Sequence, residues 1–382
     1  MMPLDASQRL GNLAVELVAQ ASQLTAQLRP QVRESIGHLV RSMNCYYSNL
    51  IEGHNTHPRD INRAIHDEYS ADPAKRDLQI EARAHIEVQR MIDSGEGPDG
   101  SPASEGYAKW LHKEFCIRLP DELLWVTDTD AKNRVRIVPG ELRDGDVIIG
   151  HHVPPSAPDL PGFLSHFEEA YDLGRLSKVQ KIIAVAAAHH RFLWIHPFHD
   201  GNGRVVRLMS HAMLLHCGIG SSVWSVARGL ARNEVEYKAK LMAADDERYN
   251  EYDGRGALSE SKLEEFCAFF LLTSIDQIKF MASLLEPGEL LRRMKLYCDD
   301  EIAAGRLPKR SMALMKEALV LGEIERGRAP EITGYQERRA REILSILIKK
   351  QLLVSISPKA PVRLGFPLDV VERWFPALYP TS

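Results

Sequence analysis

The sequence predicts a mainly α-helical protein with one small β-hairpin in its body and a winged helix-turn-helix at its C-terminal end. Three observations carry this. Apolar residues recur at helical spacing along most of the chain. Residues 178–195 are apolar almost all round, the mark of a central buried helix. From Met312 the order is helix, turn, basic helix and two short strands, which is that of a winged helix. At 382 residues the chain has room for two or three domains, and 44% hydrophobic with 26% charged residues is ordinary for a globular protein. A formal net charge of -4 excludes general polyanion binding, so nucleic-acid contact would need a local basic patch. Cys45, Cys116, Cys217, Cys267 and Cys298 are scattered without CxxC spacing, which argues against a disulfide framework or zinc site and suits a reducing compartment. MMPLDASQRL lacks the basic and apolar regions of a signal peptide, and Ile182 to Ala188 is too short an apolar run to span a bilayer. The expectation is a cytoplasmic protein with no membrane contact.

The elements follow in order. Leu10, Leu13, Ala14, Leu17, Ala21, Leu24 and Leu28 mark a helix over 7–29, and Pro30 stops the pattern. Ile36, Leu39, Val40, Met43, Tyr46, Tyr47, Leu50 and Ile51 mark a second, closed by Gly53, a residue able to cap it in the left-handed conformation. Ser48 and Glu52 share one face of that helix. Glu52 opposes the macrodipole there, a small penalty on a free surface and useful if it faces an arginine. Pro58 and Asp60 suggest a new helix start, 77–93 is helical, and 94–106 is a loop by composition. After a helix over 107–117, Val135–Val138 and Val147–Ile149 read as strands separated by Pro139-Gly140 and Asp144-Gly145. This hairpin is a lid or peptide-docking edge, or a structural turn. His151 and His152 follow it, and adjacent residues of an extended chain face opposite ways, so they make a poor metal pair. Helices continue over 158–176, 178–195, 205–217, 233–245 and 260–285. Beyond Pro287 come helices over 312–321 and 336–350, with a turn at Ile332-Thr333-Gly334 between them, then strands over 352–354 and 362–364. Arg338, Arg339, Arg341, Lys349 and Lys350 lie on the outward face of the second helix, which suggests DNA; a solvated basic face on a protein-docking domain is the alternative.

The buried helix runs into His196-Pro197-Phe198-His199-Asp200-Gly201-Asn202-Gly203-Arg204-Val205-Val206-Arg207. A loop that opens a new helix presents free backbone N–H groups. Gly201 and Gly203 permit unusual turns and close approach of a ligand, and together these features make an anion nest. Arg204 and Arg207, three apart on the first turn, can reach one polyphosphate. Arginines at a helix N-terminus are unfavourable unless an anion is present. Asp200 beside phosphates is placed to hold Mg²⁺. His196 can take a proton from an incoming hydroxyl, and Phe198 anchors the loop in the core. A lone histidine or GxG would be a weak signal; this combination in this order is specific.

The stretch 196–207 matches the HPFx(D/E)GNGRxxR motif of the Fic (Fido) family, and residues 107–285 resemble a Fic domain. The resemblance implies a Fic-fold helical bundle with a β-hairpin flap, transferring AMP from ATP, with Mg²⁺, to a Ser, Thr or Tyr hydroxyl of a target protein, which includes another copy of this chain. On it, His196 is the base and Asp200 the metal ligand. Gly201, Asn202 and Gly203 cradle the phosphates, Arg204 binds those of the leaving group, and Arg207 binds the γ-phosphate. Val147, Ile148, Ile149 and Gly150 resemble the flap that docks the target strand. Ser48-Asn49-Leu50-Ile51-Glu52-Gly53 is similar to the family's (S/T)xxxE(G/N) inhibitory motif, which implies that Glu52 pairs with Arg207 and blocks the γ-phosphate position. The division expected is 1–106, a helical region with the inhibitory helix at about 36–53; 107–285, the catalytic core; and 286–382, the winged-helix-like domain. Glu52-assisted removal of AMP and transfer of another nucleotide-derived group are alternatives. So is a DNA-binding regulator, marked by strongly salt-dependent duplex binding. A homodimer is left open, as is inhibition between chains.

Overall fold

The computed structural model describes residues 7–127, 134–220 and 222–380. The first five helices are α1 (Gln8–Ala26), α2 (Pro30–Ile51), α3 (Pro58–Ile65), α4 (Pro73–Asp93) and α5 (Glu105–Cys116). Pro30 opens α2 as well as following α1, because a first-turn N–H has no helical partner to lose. Pro58 and Pro73 open α3 and α4 in the same way, behind the side-chain caps His57 and Asp72. Then come α6 (Leu160–Ala170), α7 (Lys178–Ile195), α8 (Asn202–His216), α9 (Val226–Arg232), α10 (Glu234–Ala243) and α11 (Glu260–Leu285). The last five are α12 (Pro287–Ala303), α13 (Ser311–Leu321), α14 (Ala329–Thr333), α15 (Glu337–Lys349) and α16 (Leu368–Trp374). Ile332 and Thr333, read as a turn, finish α14, and the left-handed Gly334 caps it. By length and composition α11 could cross a membrane, but 67% of its apolar window is buried in the protein, as in a core helix.

The chain forms two compact units, and their boundaries differ from the three-part division expected. One holds the chain through Ala21 together with Asn44–Gln277; the other holds Ser22–Met43 together with Ile278 onward. Residues 44–106 join the first unit because α4 packs on both α5 and α8.

In the first unit the central pair is α7 and α8. A capping box of Ser177 and Gln180 opens α7, and every residue from Ile182 to Phe192 is buried. Two strands, β1 (Trp125–Thr127) and β2 (Arg134–Arg136), pair antiparallel. This corrects the hairpin drawn from sequence. Its first strand pairs backwards with 125–127, and Val147, Ile148 and Ile149 form no strand. The reason is local. Arg143 is buried, and its guanidinium donates to the carbonyls of Gly145 (2.9 Å) and Pro155, which ties the segment up as a loop. What remains is one bridge, Ile149 to His152, across a turn at Gly150 (φ +60°).

In the second unit β3 (Glu323–Ile324), β4 (Leu353–Val354) and β5 (Val362–Leu364) form a sheet in the order β3-β5-β4. The buried face of α15 (Ala340, Ile343, Leu344, Leu347) joins Leu353, Val362, Leu364 and Trp374 in its core. The sequence reading missed α9, α12 and α16. In α12 Pro287 sits in the first turn, and the Glu286 carboxylate accepts from the N–H groups of Gly288 and Glu289.

Candidate active site

The site is a short loop between two buried helices, locked in place by side chains from elsewhere in the first unit. It begins where His196 leaves α7 in the left-handed conformation (φ +50°), a costly one for a non-glycine residue. Three contacts hold the turn. Arg143 Nε donates to the His196 carbonyl (2.8 Å) and the Arg143 N–H donates to Pro197 O (2.9 Å). His152 Nε2 donates to Trp194 O (2.7 Å). Phe198 is wholly buried, and its ring stacks on His112 with centroids 4.0 Å apart and planes 4° from parallel. Asn202 closes the loop: Phe198 N–H donates to Asn202 Oδ1 (3.0 Å) and Asn202 Nδ2 donates to Phe198 O (2.8 Å). Gly201 then caps α8 at φ +78°, where a side chain would be strained.

The first turn of α8 presents Gly203, Arg204 and Arg207 to Glu52. Arg207 is 2% exposed. Its Nε donates to Ser48 Oγ (2.8 Å), and its Nη2 donates to Ser48 O (3.2 Å) and to Glu52 Oε1 (2.5 Å). A Cβ on Gly203 would sit 2.3 Å from Glu52 Oε1, so only glycine leaves room for the carboxylate over this helix end. Burial pushes the Glu52 carboxyl up, but the charge and hydrogen bond of Arg207 outweigh it and hold it below its ordinary value. Gly53 follows at φ +82°, the left-handed turn expected of it.

Arg204 is 6% exposed, yet its Nε and Nη1 have no hydrogen-bond partner. Its Nη1 lies 3.4 Å from Glu81 Oε2, its Nη2 lies 4.0 Å from Asp200 Oδ2, and its guanidinium covers the Phe115 ring at 4.9 Å. The Asp200 side chain is half exposed. Burial holds the His196 imidazole down to about 4, so the ring is neutral and able to accept a proton near pH 7. Val147 and Ile148 stay apart from this cluster. Ile149 and Gly150, with Val153, instead border a hollow of about 720 Å³ that His196 also lines.

The structure thus brings Ser48, Glu52, His196, Phe198 and Asp200 to Arg207 around one helix N-terminus. Sequence reasoning missed Arg143, His112 and Glu81. Glu81 left a signal. With His85, Val88 and Ile92 it follows the buried stripe of α4, a charge at an apolar position. Arg143 left none, being one arginine in a loop.

A buried helix, a helix N-terminus that faces the Glu52 carboxylate and a neutral histidine meet at one loop on a helical scaffold. Residues 105–214 match the Fic/DOC family, and the chain carries a Fic domain there. Over 79 residues, 21% of this chain and 16% of theirs, it is 38% identical to protein adenylyltransferase Fic of Aedes aegypti and 37% identical to that of Drosophila erecta. The chain thus spans about a sixth of the length of these relatives. Among solved structures, a Fic family protein from Desulfovibrio desulfuricans aligns over 96% of this chain and 99% of its own (TM-score 0.56, 17% identity). A Fic domain-containing signalling protein from Bacteroides thetaiotaomicron aligns over 71% and 96% (TM-score 0.52, 19% identity). At these identities the likeness establishes the fold.

Proposed function

We propose that this chain transfers AMP from ATP to a hydroxyl side chain of a target protein, and that Glu52 holds it in an autoinhibited state. The observation that carries the reading is the Glu52 carboxylate on Arg207 at the N-terminus of α8, where an anion belongs. The unspent, buried donors of Arg204 and the bare backbone at Gly203 suit a polyphosphate. In the transfer, the target oxygen bonds to the α-phosphorus, the bond from that phosphorus to the bridging oxygen breaks, and pyrophosphate leaves. His196 takes the hydroxyl proton. Arg204 and Arg207 take the charge of the leaving group. Asp200, a half-exposed carboxylate beside Arg204, suits a hard cation. Mg²⁺ held there would neutralise phosphate charge. ATP supply and the five free thiols fit a reducing, cytoplasmic setting.

Glu52 and Ser48 occupy Arg207 in the closed form, so the γ-phosphate lacks its arginine. Intact-mass analysis after incubation with Mg²⁺ and ATP tests this. Glu52→Gly should gain one AMP, the wild type little, and Glu52→Gly with His196→Ala none. Equal gain in wild type and Glu52→Gly would end the autoinhibition reading. A second reading has Glu52 align a water that removes AMP from a modified target; its charge does reach His196. Release of AMP from a premodified target by the wild type, lost in Glu52→Gly, would favour it. A DNA-binding regulator draws less support, because Arg339 and Arg341 on α15 already pair with Glu342 (2.7 Å) and Glu337 (2.9 Å).

A further inference from the structure

Glu81 is a buried carboxylate for which adenylyl transfer, as outlined above, has no use. It lies on α4, 7% exposed, and one oxygen serves two neighbours. Oε2 is 2.7 Å from His54 Nδ1 and 3.4 Å from Arg204 Nη1. Burial pushes the Glu81 carboxyl up, but the His54 hydrogen bond and the Arg204 charge outweigh it, so it is ionised. One turn further on, His85 is wholly buried with neither ring nitrogen hydrogen-bonded.

Arg204 is held mainly by charge: its Nε has no hydrogen-bond partner and its Nη1 faces Glu81 at 3.4 Å, and a buried guanidinium with an unpartnered donor turns toward the nearest acid. Two acids are in range. Glu81 lies on one side at 3.4 Å and Asp200 on the other at 4.0 Å. If Arg204 closed on Asp200, one pairing would consume both a phosphate donor and the carboxylate suited to the metal. The Glu81 charge opposes that closure. His54 fixes the Glu81 carboxylate, and it stands two residues beyond Glu52, at the exit of the segment that covers Arg207.

We propose that Glu81 is a positioning residue: it holds Arg204 off Asp200 with its donors free for the phosphates, and His54 orients it for that task. This rests on the adenylyl-transfer reading above. Glu81 touches neither reacting atom, so its loss should weaken nucleotide binding far more than turnover.

The test uses full-length protein with Glu52→Gly, so that the site is open. Calorimetry with a non-hydrolysable ATP analogue and Mg²⁺ is compared with adenosine, which has no phosphates. Adding Glu81→Gln should weaken the Mg²⁺–analogue complex at least tenfold and leave adenosine within about twofold. Glu81→Asp, which keeps the charge, should recover most of the loss. In transfer assays KM for ATP should rise with kcat within a few-fold. Unchanged analogue affinity in Glu81→Gln overturns the proposal. So does an equal loss for adenosine, which would mark a folding defect. If Glu52→Gly itself binds the analogue but never transfers AMP, the transfer reading fails while the Glu81 comparison still reads phosphate binding.

Discussion

His196 leaves its helix in a left-handed turn, and three carbonyl contacts from Arg143 and His152 keep it there. That turn matters because the ring must face the acceptor while its backbone stays pinned. The imidazole, held down to about 4 by burial, is uncharged throughout the neutral range. The sign for activity follows. A base works only when unprotonated, so kcat/KM of the Glu52→Gly protein should stay level as pH falls through 6.5, the ordinary histidine value, and decline toward about 4. An acid limb centred near 6.5 would mean that the working base titrates as a free imidazole. Single residues were the part of the site most legible in the sequence. Each motif residue combines an unusual side chain with an unusual place: arginines at a helix start, glycines where a turn is needed, an acid at a helix end. Residues that act on these from a distance carried no such mark. Arg143 looks like any loop arginine until its three carbonyl partners are assembled from separate stretches of chain.

At the scale of elements, the α7–α8 junction is a closed unit, and Asn202 is its clasp. Its side chain meets both the N–H and the carbonyl of Phe198, in a place where water cannot substitute. A net ~0.5–1.5 kcal/mol for each bond puts Asn202→Ala at about 1–3 kcal/mol of lost stability in urea unfolding. A change under about 0.5 kcal/mol would mean that the loop is held by Phe198 packing alone. Long apolar helices such as 178–195 and 260–285 were legible to the residue because continuous burial sets their extent. The hairpin was not. Val147–Ile149 has strand composition, but the Arg143 guanidinium ties Gly145 and Pro155, on either side of it, into a loop. The short helices α9 and α16 were lost for another reason, since seven residues give little period to read.

For the whole molecule, the two compact units differ in how far their sequence announces a role. The first contains residues 105–214, which match the Fic/DOC family, and with them the motif at 196–207. The second holds α12 to α16 and the three-stranded sheet β3-β5-β4, without a residue pattern that names a partner. The contact between Glu52 and Arg207 joins positions 155 residues apart within one chain. On the autoinhibition proposed above, the carboxylate is in kinetic terms a tethered competitor, and its local concentration is set by the chain and not by the solution. Dilution therefore cannot release it. The specific transfer rate of the wild type should be the same across a hundredfold range of protein concentration, whereas a latch supplied by a neighbouring molecule would open as the sample is thinned. On the same proposal, an added anion must outcompete a ligand that never diffuses away, so the resting rate should follow how tightly the nucleotide binds and not how much protein is present.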